Sequence, residues 1–532
     1  MKKTLLVVIA CFLLGGTLMA QPAKHYQSNT GYQNSMIYGT VIRVDEAYLV
    51  YNSEVYYEIG YFTVIGGEEV TLGSNFLQGG NLPPFAAYPN YYYVDANIPF
   101  DNEGLTVTFK LYNHSTQKEY YSPNTVITDN DGDSGDIVNP NTLDFYSPAT
   151  KDIVGYVNDD YKGGYYFIAS PIGQVNINKV TGLTANQYDL YRFNQSAEKE
   201  WENYEAEDES HNPLHTDFTT LEPGKGYLYA NKENVTLVFP GAPYSGNGTV
   251  NLVYDAAQSV RFKGWNLIGN PYSTDASLDK PYYRMKADGS GLKTETESSA
   301  VEAMEGVFVQ ATATGQTATF SVSKRDNGPK VIAQANIMVS NNRGSVIDNA
   351  IIRFDGGNTL EKYSFREGST KVYIPSESKD YAVVNANENG EMPIHFKAEA
   401  NGNYTISFSA ENVVFDYLHL IDNLTGNDVD LLATPSYSFN ARTDDYASRF
   451  KLVFATGNSN DGDSFGFMCD GNLVISGIEG NATMQLVDIT GRILNTENFN
   501  GSYNKPVNAS AGVYTIRLIQ GENVRTQKIV VR

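Results

Sequence analysis

Apolar and polar residues alternate with a period of two along most of this chain. Leu105-Thr-Val-Thr-Phe-Lys-Leu-Tyr112 places Val107, Phe109 and Leu111 on one face, the spacing of a half-buried strand. Similar runs are Ile37-Tyr-Gly-Thr-Val-Ile-Arg43, Tyr56-Tyr-Glu-Ile-Gly-Tyr-Phe-Thr-Val64, Ala350-Ile-Ile-Arg-Phe354, Tyr404-Thr-Ile-Ser-Phe-Ser409, Tyr417-Leu-His-Leu-Ile421 and Arg449-Phe-Lys-Leu-Val-Phe454. Short turn segments separate them, and no long stretch of helical period interrupts the series. The pattern predicts an all-β protein of tandem Ig-like or jelly-roll-type β-sandwich domains.

Breaks in the pattern predict the domain organisation. Residues 24–147 read as an N-terminal β-sandwich, 148–325 as a β-rich module with an internal repeat, and 330–456 as a further β-sandwich. Residues 457–464, Gly-Asn-Ser-Asn-Asp-Gly-Asp-Ser, are polar and aperiodic and read as a linker. The repeat rests on three ordered matches. Gly164-Tyr-Tyr-Phe-Ile-Ala-Ser-Pro171 returns as Gly264-Trp-Asn-Leu-Ile-Gly-Asn-Pro271, Tyr191-Arg-Phe193 as Tyr283-Arg-Met285, and Gly226-Tyr-Leu-Tyr229 as Gly306-Val-Phe-Val309. Each copy is short for a sandwich of its own, so the two are expected to share one core or to pack face to face.

The two ends carry different signals. Met1-Lys-Lys-Thr4 is a short basic region, Leu5–Leu18 is apolar, and Ala20 precedes an expected cut at Gln21; residues 1–20 read as a signal peptide. Val8-Ile-Ala-Cys11 loosely matches a lipidation site, but the apolar run continues past Cys11 and favours plain cleavage. No later stretch has the ~18–20 apolar residues that span a bilayer as a helix. At the other end, Tyr514, Ile516 and Leu518 alternate with polar neighbours, Ile529 and Val531 do the same, and Thr490-Gly491 follows the run Leu486–Ile489 as a turn. A small sandwich over 465–532 follows.

That tail resembles the type A C-terminal sorting domain of Bacteroidetes proteins exported by the type IX secretion system. The resemblance lies in Asp488-Ile-Thr-Gly-Arg492, Gly512-Val-Tyr514 and the terminal Lys528-Ile-Val-Val-Arg532. It assigns a sorting signal to Asp488, Gly491, Arg492, Gly512, Tyr514, Arg517, Lys528 and Arg532. It implies partners: the type IX secretion machinery, a sortase-like peptidase that removes the tail, and anionic lipopolysaccharide joined afterwards. The implied location is secreted, extracellular or on the outer cell surface. The phrase Gly264-Trp-Asn-Leu-Ile-Gly-Asn-Pro-Tyr272 is similar to one in other type IX cargo proteins. Residues 24–147 resemble an N-terminal sandwich of Bacteroidetes surface proteins through Tyr57-Glu-Ile-Gly-Tyr-Phe62 and Val107–His114. Neither resemblance assigns chemistry.

Composition narrows the functional classes. The chain counts 38 Lys and Arg against 61 Asp and Glu, a formal charge of −23, which disfavours nucleic acid and anionic lipid as partners. Loss of Cys11 with the signal peptide leaves Cys469, which cannot form an internal disulfide; beside Phe465-Gly-Phe-Met468 it reads as a small buried hydrophobe. The 39 tyrosines and 47 glycines fit strands and turns.

Catalytic motifs are missing. His211-Asn-Pro-Leu-His215 has a zinc-helix spacing, but Pro213 opposes the helix and no Glu stands between as in metalloproteases. Pro223-Gly-Lys-Gly226 lacks the rest of a phosphate loop, and no Gly-x-Ser-x-Gly elbow occurs. Asp129-Asn-Asp-Gly-Asp-Ser-Gly-Asp136 has alternate carboxylates, as a calcium loop would, yet its glycines and the missing Glu depart from an EF-hand; a hydrated acidic loop without a metal is the expectation. Tyr88-Pro-Asn-Tyr-Tyr-Tyr93 has two readings, rings that stack on a glycan or strand tyrosines that pack inward. The expectation is therefore a secreted, non-catalytic adhesive, binding or structural protein with no cofactor. Its glycan or protein ligand is left open. The alternative is a secreted carboxylate-dependent hydrolase such as a glycoside hydrolase.

Overall fold

The computed structural model describes residues 21–27, 31–79, 90–136, 139–156, 164–183, 187–205, 215–257, 262–322, 329–364, 366, 368–457, 465–469 and 471–531. The expected signal peptide, the linker residues 458–464, Tyr88, His211 and Arg532 lie outside them. The chain is all-β, built from largely antiparallel sheets stacked as sandwiches. Among the described residues the one helical element is a single 3-10 turn, Ile177–Lys179. The described residues within 1–150 and 238–245 form one compact unit, and those within 151–237 and 246–532 a second.

In the first unit, Thr106–Asn113 alternates as its sequence predicts: Val107, Phe109 and Leu111 are at most 1% exposed. It lies between Tyr57–Ile65 and Lys118–Ile127, with Glu68–Phe76 on the far side of Tyr57–Ile65. The hairpin joining Tyr57–Ile65 to Glu68–Phe76 turns through Gly66 and Gly67 at φ 63° and 90°, the left-handed geometry that matches strand twist. A second sheet runs through Ala47–Tyr48, Asn34–Val44 and Tyr93–Phe100, and Asn141–Phe145 joins Asn34–Val44 in parallel. Ile59, Tyr61 and Phe109 meet Ile98, Phe100 and Leu143 in the core between the two sheets.

The second unit contains the repeat, and its two copies have one topology. Tyr165–Ala169 pairs with Gly226–Asn231, which pairs with Tyr188–Phe193, which pairs with Trp201–Glu205. One hundred residues later, Trp265–Gly269 pairs with Gly306–Gln310, then Tyr282–Met285, then Leu292–Glu295. The register is conserved too: Ala169 faces Gly226 as Gly269 faces Gly306. Phe167 and Leu228 of one copy pack against Leu267 and Phe308 of the other, so the copies share a core. The glycines permit the contact. A Cβ on Gly269 would lie 2.4 Å from the Ala169 Cβ and 2.5 Å from the Lys225 carbonyl oxygen. Backbone hydrogen bonds cross between copies, from Ala169 N–H to the Met304 carbonyl (3.1 Å) and from Gly269 N–H to the Gly224 carbonyl (3.0 Å).

Beyond the repeat, strands between Gln334 and Thr456 make an eleven-stranded sheet folded over its own core. Ile337, Ile406 and Phe439 from one half pack with Leu420, Phe450 and Leu452 from the other. Buried pairs hold this sheet to the repeat: Arg353 Nη1 donates to Glu297 Oε2 at 2.9 Å, with both side chains 1% exposed. The tail forms a three-stranded sheet (Gly466–Cys469, Asn472–Ile475, Tyr503–Pro506) and a four-stranded one in the order Ile493–Asn500, Asn481–Val487, Gly512–Gln520, Asn523–Val531. Phe465, Leu473, Ile475, Met484, Ile516 and Leu518 fill its own core. The neighbouring residues Phe467 and Val474 face the other way and pack on Tyr417, Val453 and Ala455 of the large sandwich. Asn504 Nδ2 donates to the Tyr417 hydroxyl across the same junction at 2.9 Å. The tail thus has a private core and a second, shared apolar cluster that strand alternation alone does not reveal.

Candidate functional site

Apart from Arg532, which lies outside the described residues, the sequence-assigned sorting residues fall on the four-stranded sheet of the tail and the turn at its end. Asp488 organises that turn. Its Oδ1 accepts the Thr490 hydroxyl (2.6 Å), the Thr490 N–H (2.9 Å) and the Arg492 N–H (3.0 Å), and its Oδ2 accepts Arg492 Nε at 3.1 Å. These donors, the Thr490 hydroxyl first, hold the Asp488 carboxyl at about 2, because each stabilises the charged form. Gly491 supplies φ 86°, which a residue with a Cβ rarely adopts. Gly512 opens the neighbouring strand, and the Tyr514 hydroxyl donates to the Ser510 carbonyl at 2.7 Å. Arg517 pairs in register with Gln485, and Lys528 with Thr515. Because Ile516 and Leu518 are buried, Arg517 and Lys528 lie on the outward face. Val513 and Val530 sit opposite each other on that face, 47% and 55% exposed. The structure therefore gathers Asp488, Gly491 and Arg492 into one turn and spreads Arg517 and Lys528 over the adjoining sheet. Residues 465–532 count six basic against five acidic side chains, so the tail is near neutral in a strongly acidic chain.

A second surface lies on the large sandwich. Strands Gln334–Ser340, Gly402–Glu411 and Ser436–Ala441 run side by side, the last at the sheet edge. Their inward positions are Val339, Ile337, Tyr404, Ile406, Phe408 and Phe439. Their outward positions are mostly hydroxyl or amide: Asn403, Thr405, Ser407 and Ser409 on the central strand, with a charge only at its far end, Glu411, and Ser436, Ser438 and Asn440 on the edge strand. Cross-strand partners are Thr405 with Ser438 and Asn403 with Asn440. Thr405 Oγ1 and Ser438 Oγ lie 2.9 Å apart, and Asn440 Nδ2 donates to Asn403 Oδ1 at 3.1 Å. The hairpin at Asn341–Ser345, closed through the Asn341 side chain and Gly344 at φ 78°, walls one side of a groove of about 680 Å³ over these residues. The signal was legible: every second residue of Tyr404-Thr-Ile-Ser-Phe-Ser409 is Ser or Thr. It reads as the solvated side of an amphipathic strand, and the alignment of like positions on neighbouring strands depends on register.

Other sequence candidates take structural roles. Tyr92 and Tyr93 are 1% and 3% exposed; the Tyr92 hydroxyl donates to the Asn52 and Val55 carbonyls at 2.8 and 2.6 Å, and burial pushes it up to about 12. Packing, and not glycan stacking, is what these two rings do. In the Asp129–Asp136 loop, Asp133 accepts the Ile37 N–H (2.7 Å), Asp136 the Asn139 N–H (2.7 Å) and Asp129 the Asp131 N–H (3.0 Å), so three of its carboxylates hold backbone. Cys469 is buried against Phe467 and Val474, 3.1 Å from Glu391 Oε2.

Five carboxylates are buried among the described residues, and each has partners. Glu58 accepts the backbone N–H groups of His25 (2.6 Å) and Tyr26 (3.2 Å) and lies 3.0 Å from His114 Nε2. Glu295 and Glu305 flank Arg284, Glu297 meets Arg353, and Asp422 meets Arg449.

No protein-family model matches the chain. No curated protein is similar to it in sequence. Among solved structures, the Bacillus anthracis TIE protein aligns over 95% of this chain and 73% of its own, with 9% identity and a TM-score of 0.10, and a likeness of that size assigns neither fold nor function.

Proposed function

We propose that this is a type IX secretion cargo, displayed on or released from the outer cell surface, whose β-sandwich modules bind or build and do not catalyse. One observation carries the reading: Asp488-Ile-Thr-Gly-Arg492, Gly512-Val-Tyr514 and Lys528-Ile-Val-Val-Arg532 occur together and in order. The pairing of each buried carboxylate with a cation, a histidine or backbone N–H groups supports a structural role for those acids. On this reading the secretion machinery and a sortase-like peptidase act on the tail, and anionic lipopolysaccharide is the acceptor after its removal.

The test is genetic. Fusing residues 458–532 behind an exported reporter should carry it to the surface of a type IX host, and truncation at Gly457 should leave the remaining protein in the periplasm. Surface display of the truncated protein refutes the sorting role. Turnover by the purified protein on a panel of glycans would replace the non-catalytic part of the reading with the hydrolase.

A further inference from the structure

We infer that the groove over Ser340, Thr405, Ser438, Asn403 and Asn440 is a binding site for a neutral polysaccharide chain; this deepens, and rests on, the proposal of a non-catalytic binding protein. The argument begins with charge. The chain carries −23 overall, yet no Asp, Glu, Lys or Arg lines this groove; Arg343, in the walling hairpin, is not among the lining residues. An anionic polymer finds no cation here, and a cationic one finds no carboxylate. Hydroxyl and amide groups each offer both donors and acceptors, which matches a ligand whose surface is itself made of hydroxyls.

Orientation comes next. Thr405 and Ser438 are hydrogen-bonded to each other, as are Asn403 and Asn440. Both pairs are fixed before a ligand arrives, which reduces the entropy lost on binding. Because Asn440 Nδ2 donates to Asn403 Oδ1, the Asn440 Oδ1 can accept and the Asn403 Nδ2 can donate side by side. Asn403, Ser438 and Asn440 are exposed, so a ligand reaches these atoms without rearrangement.

The third argument selects a polymer. Tyr404 and Phe439 are 7% and 6% exposed and belong to the core below the groove, so no ring is free to stack on a sugar face. Hydrogen bonds alone contribute little net free energy each, because water competes for both partners. A single sugar would therefore bind weakly. A chain laid across adjacent strands repeats the same contacts along the ladder and gains by multivalency.

The test uses the purified mature chain in affinity electrophoresis and pull-down with neutral polysaccharides (β-glucan, mannan, galactan) and anionic ones (alginate, polygalacturonate). We expect at least one neutral polymer to be retained and the anionic ones not. Ser438→Glu and Asn403→Ala should each weaken that retention at least tenfold, while Ser409→Glu, on the outward face of the same strand but outside the groove, should leave it unchanged. Melting curves establish that the variants fold; should Ser438→Glu fail, Asn403→Ala decides. No retention of any neutral polymer, or equal retention by both groove variants, overturns the assignment. Because the assay needs no export, its failure leaves the sorting proposal standing, and failure of the reporter fusion leaves this one standing.

Discussion

Val453 tests whether the tail and the large sandwich are energetically one body. It is 1% exposed, but it lies outside the sandwich core: its neighbours Leu452 and Phe454 point inward, while Val453 joins Phe467, Val474 and Tyr417 at the junction with the tail. In the intact chain, Val453→Asn removes ~1.5–3 kcal/mol of side-chain burial and leaves an amide enclosed by apolar neighbours, at ~1–3 kcal/mol more. The expected loss is ~2.5–6 kcal/mol. In a chain ending at Gly457 the same position faces water, and the substitution should change stability by no more than ~0.5 kcal/mol. The difference is the coupling of a double-mutant cycle in which the second change is removal of the tail. Urea unfolding of both lengths, with and without the substitution, and hydrogen exchange of peptides covering Phe450–Thr456 as the reporter, measures it. Equal losses in the two lengths would show that Val453 is buried by something other than the tail and would refute the shared cluster. The cycle also refines the export experiment: the truncated protein should fold, but less stably, because Tyr417, Val453 and Ala455 are uncovered.

The remaining predictions concern other sites. The Asp488 carboxyl, followed by carbon-detected NMR, should titrate at about 2 against an ordinary value near ~3.9; Thr490→Val should move it upward by removing its foremost donor. Burial drives the Asp422 carboxyl up, but hydrogen bonds from Arg449 and the Leu424 N–H outweigh it and hold the group below its ordinary 3.8. Its contribution to stability is present above the unfolded value and is lost as pH falls through the lower folded one, so Asp422→Asn should remove part of the acid sensitivity below pH ~4. The same variant, by breaking a buried pair, should cost about 3–5 kcal/mol at neutral pH. Gly269→Ala should destabilise the repeat by ~1–3 kcal/mol or more, read as a lower melting temperature, while Ala at exposed Gly315, where nothing lies within 4 Å but φ is 77°, should cost only the smaller backbone penalty.

Local alternation was a reliable guide wherever one strand face meets a core. Ile37–Arg43 lies inside Asn34–Val44, and Leu105–Tyr112 overlaps Thr106–Asn113 almost fully. The repeat was legible because its copies share both glycines and strand order. Alternation fails where both faces are covered. Phe465 and Phe467 look alike in sequence, yet one fills the tail core and the other the junction, a distinction that only the packing of distant segments creates. Likewise Tyr92 and Tyr93, adjacent and both buried, break the period of two at the start of a strand that otherwise alternates, with Asp95 and Asn97 exposed; there Tyr93 is bridged to Gln78 of a distant segment. The groove escaped for a related reason: Thr405 and Ser438 are 33 residues apart, and their pairing is a matter of register.

The shared core of the two repeat copies has a consequence for the order of events in synthesis and transport. Phe167 and Leu228 are covered by Leu267 and Phe308, which emerge from the ribosome, or from a narrow translocation pore, only after the first copy is complete. Until then that copy is an unfinished surface with apolar side chains open to its surroundings, held by one set of strand pairings and none of the cross-copy backbone bonds. A chain threaded N-terminus first must therefore carry an open half for the time it takes some eighty further residues, from Leu228 to Phe308, to arrive, and any factor that binds extended apolar strands has its best opportunity in that interval.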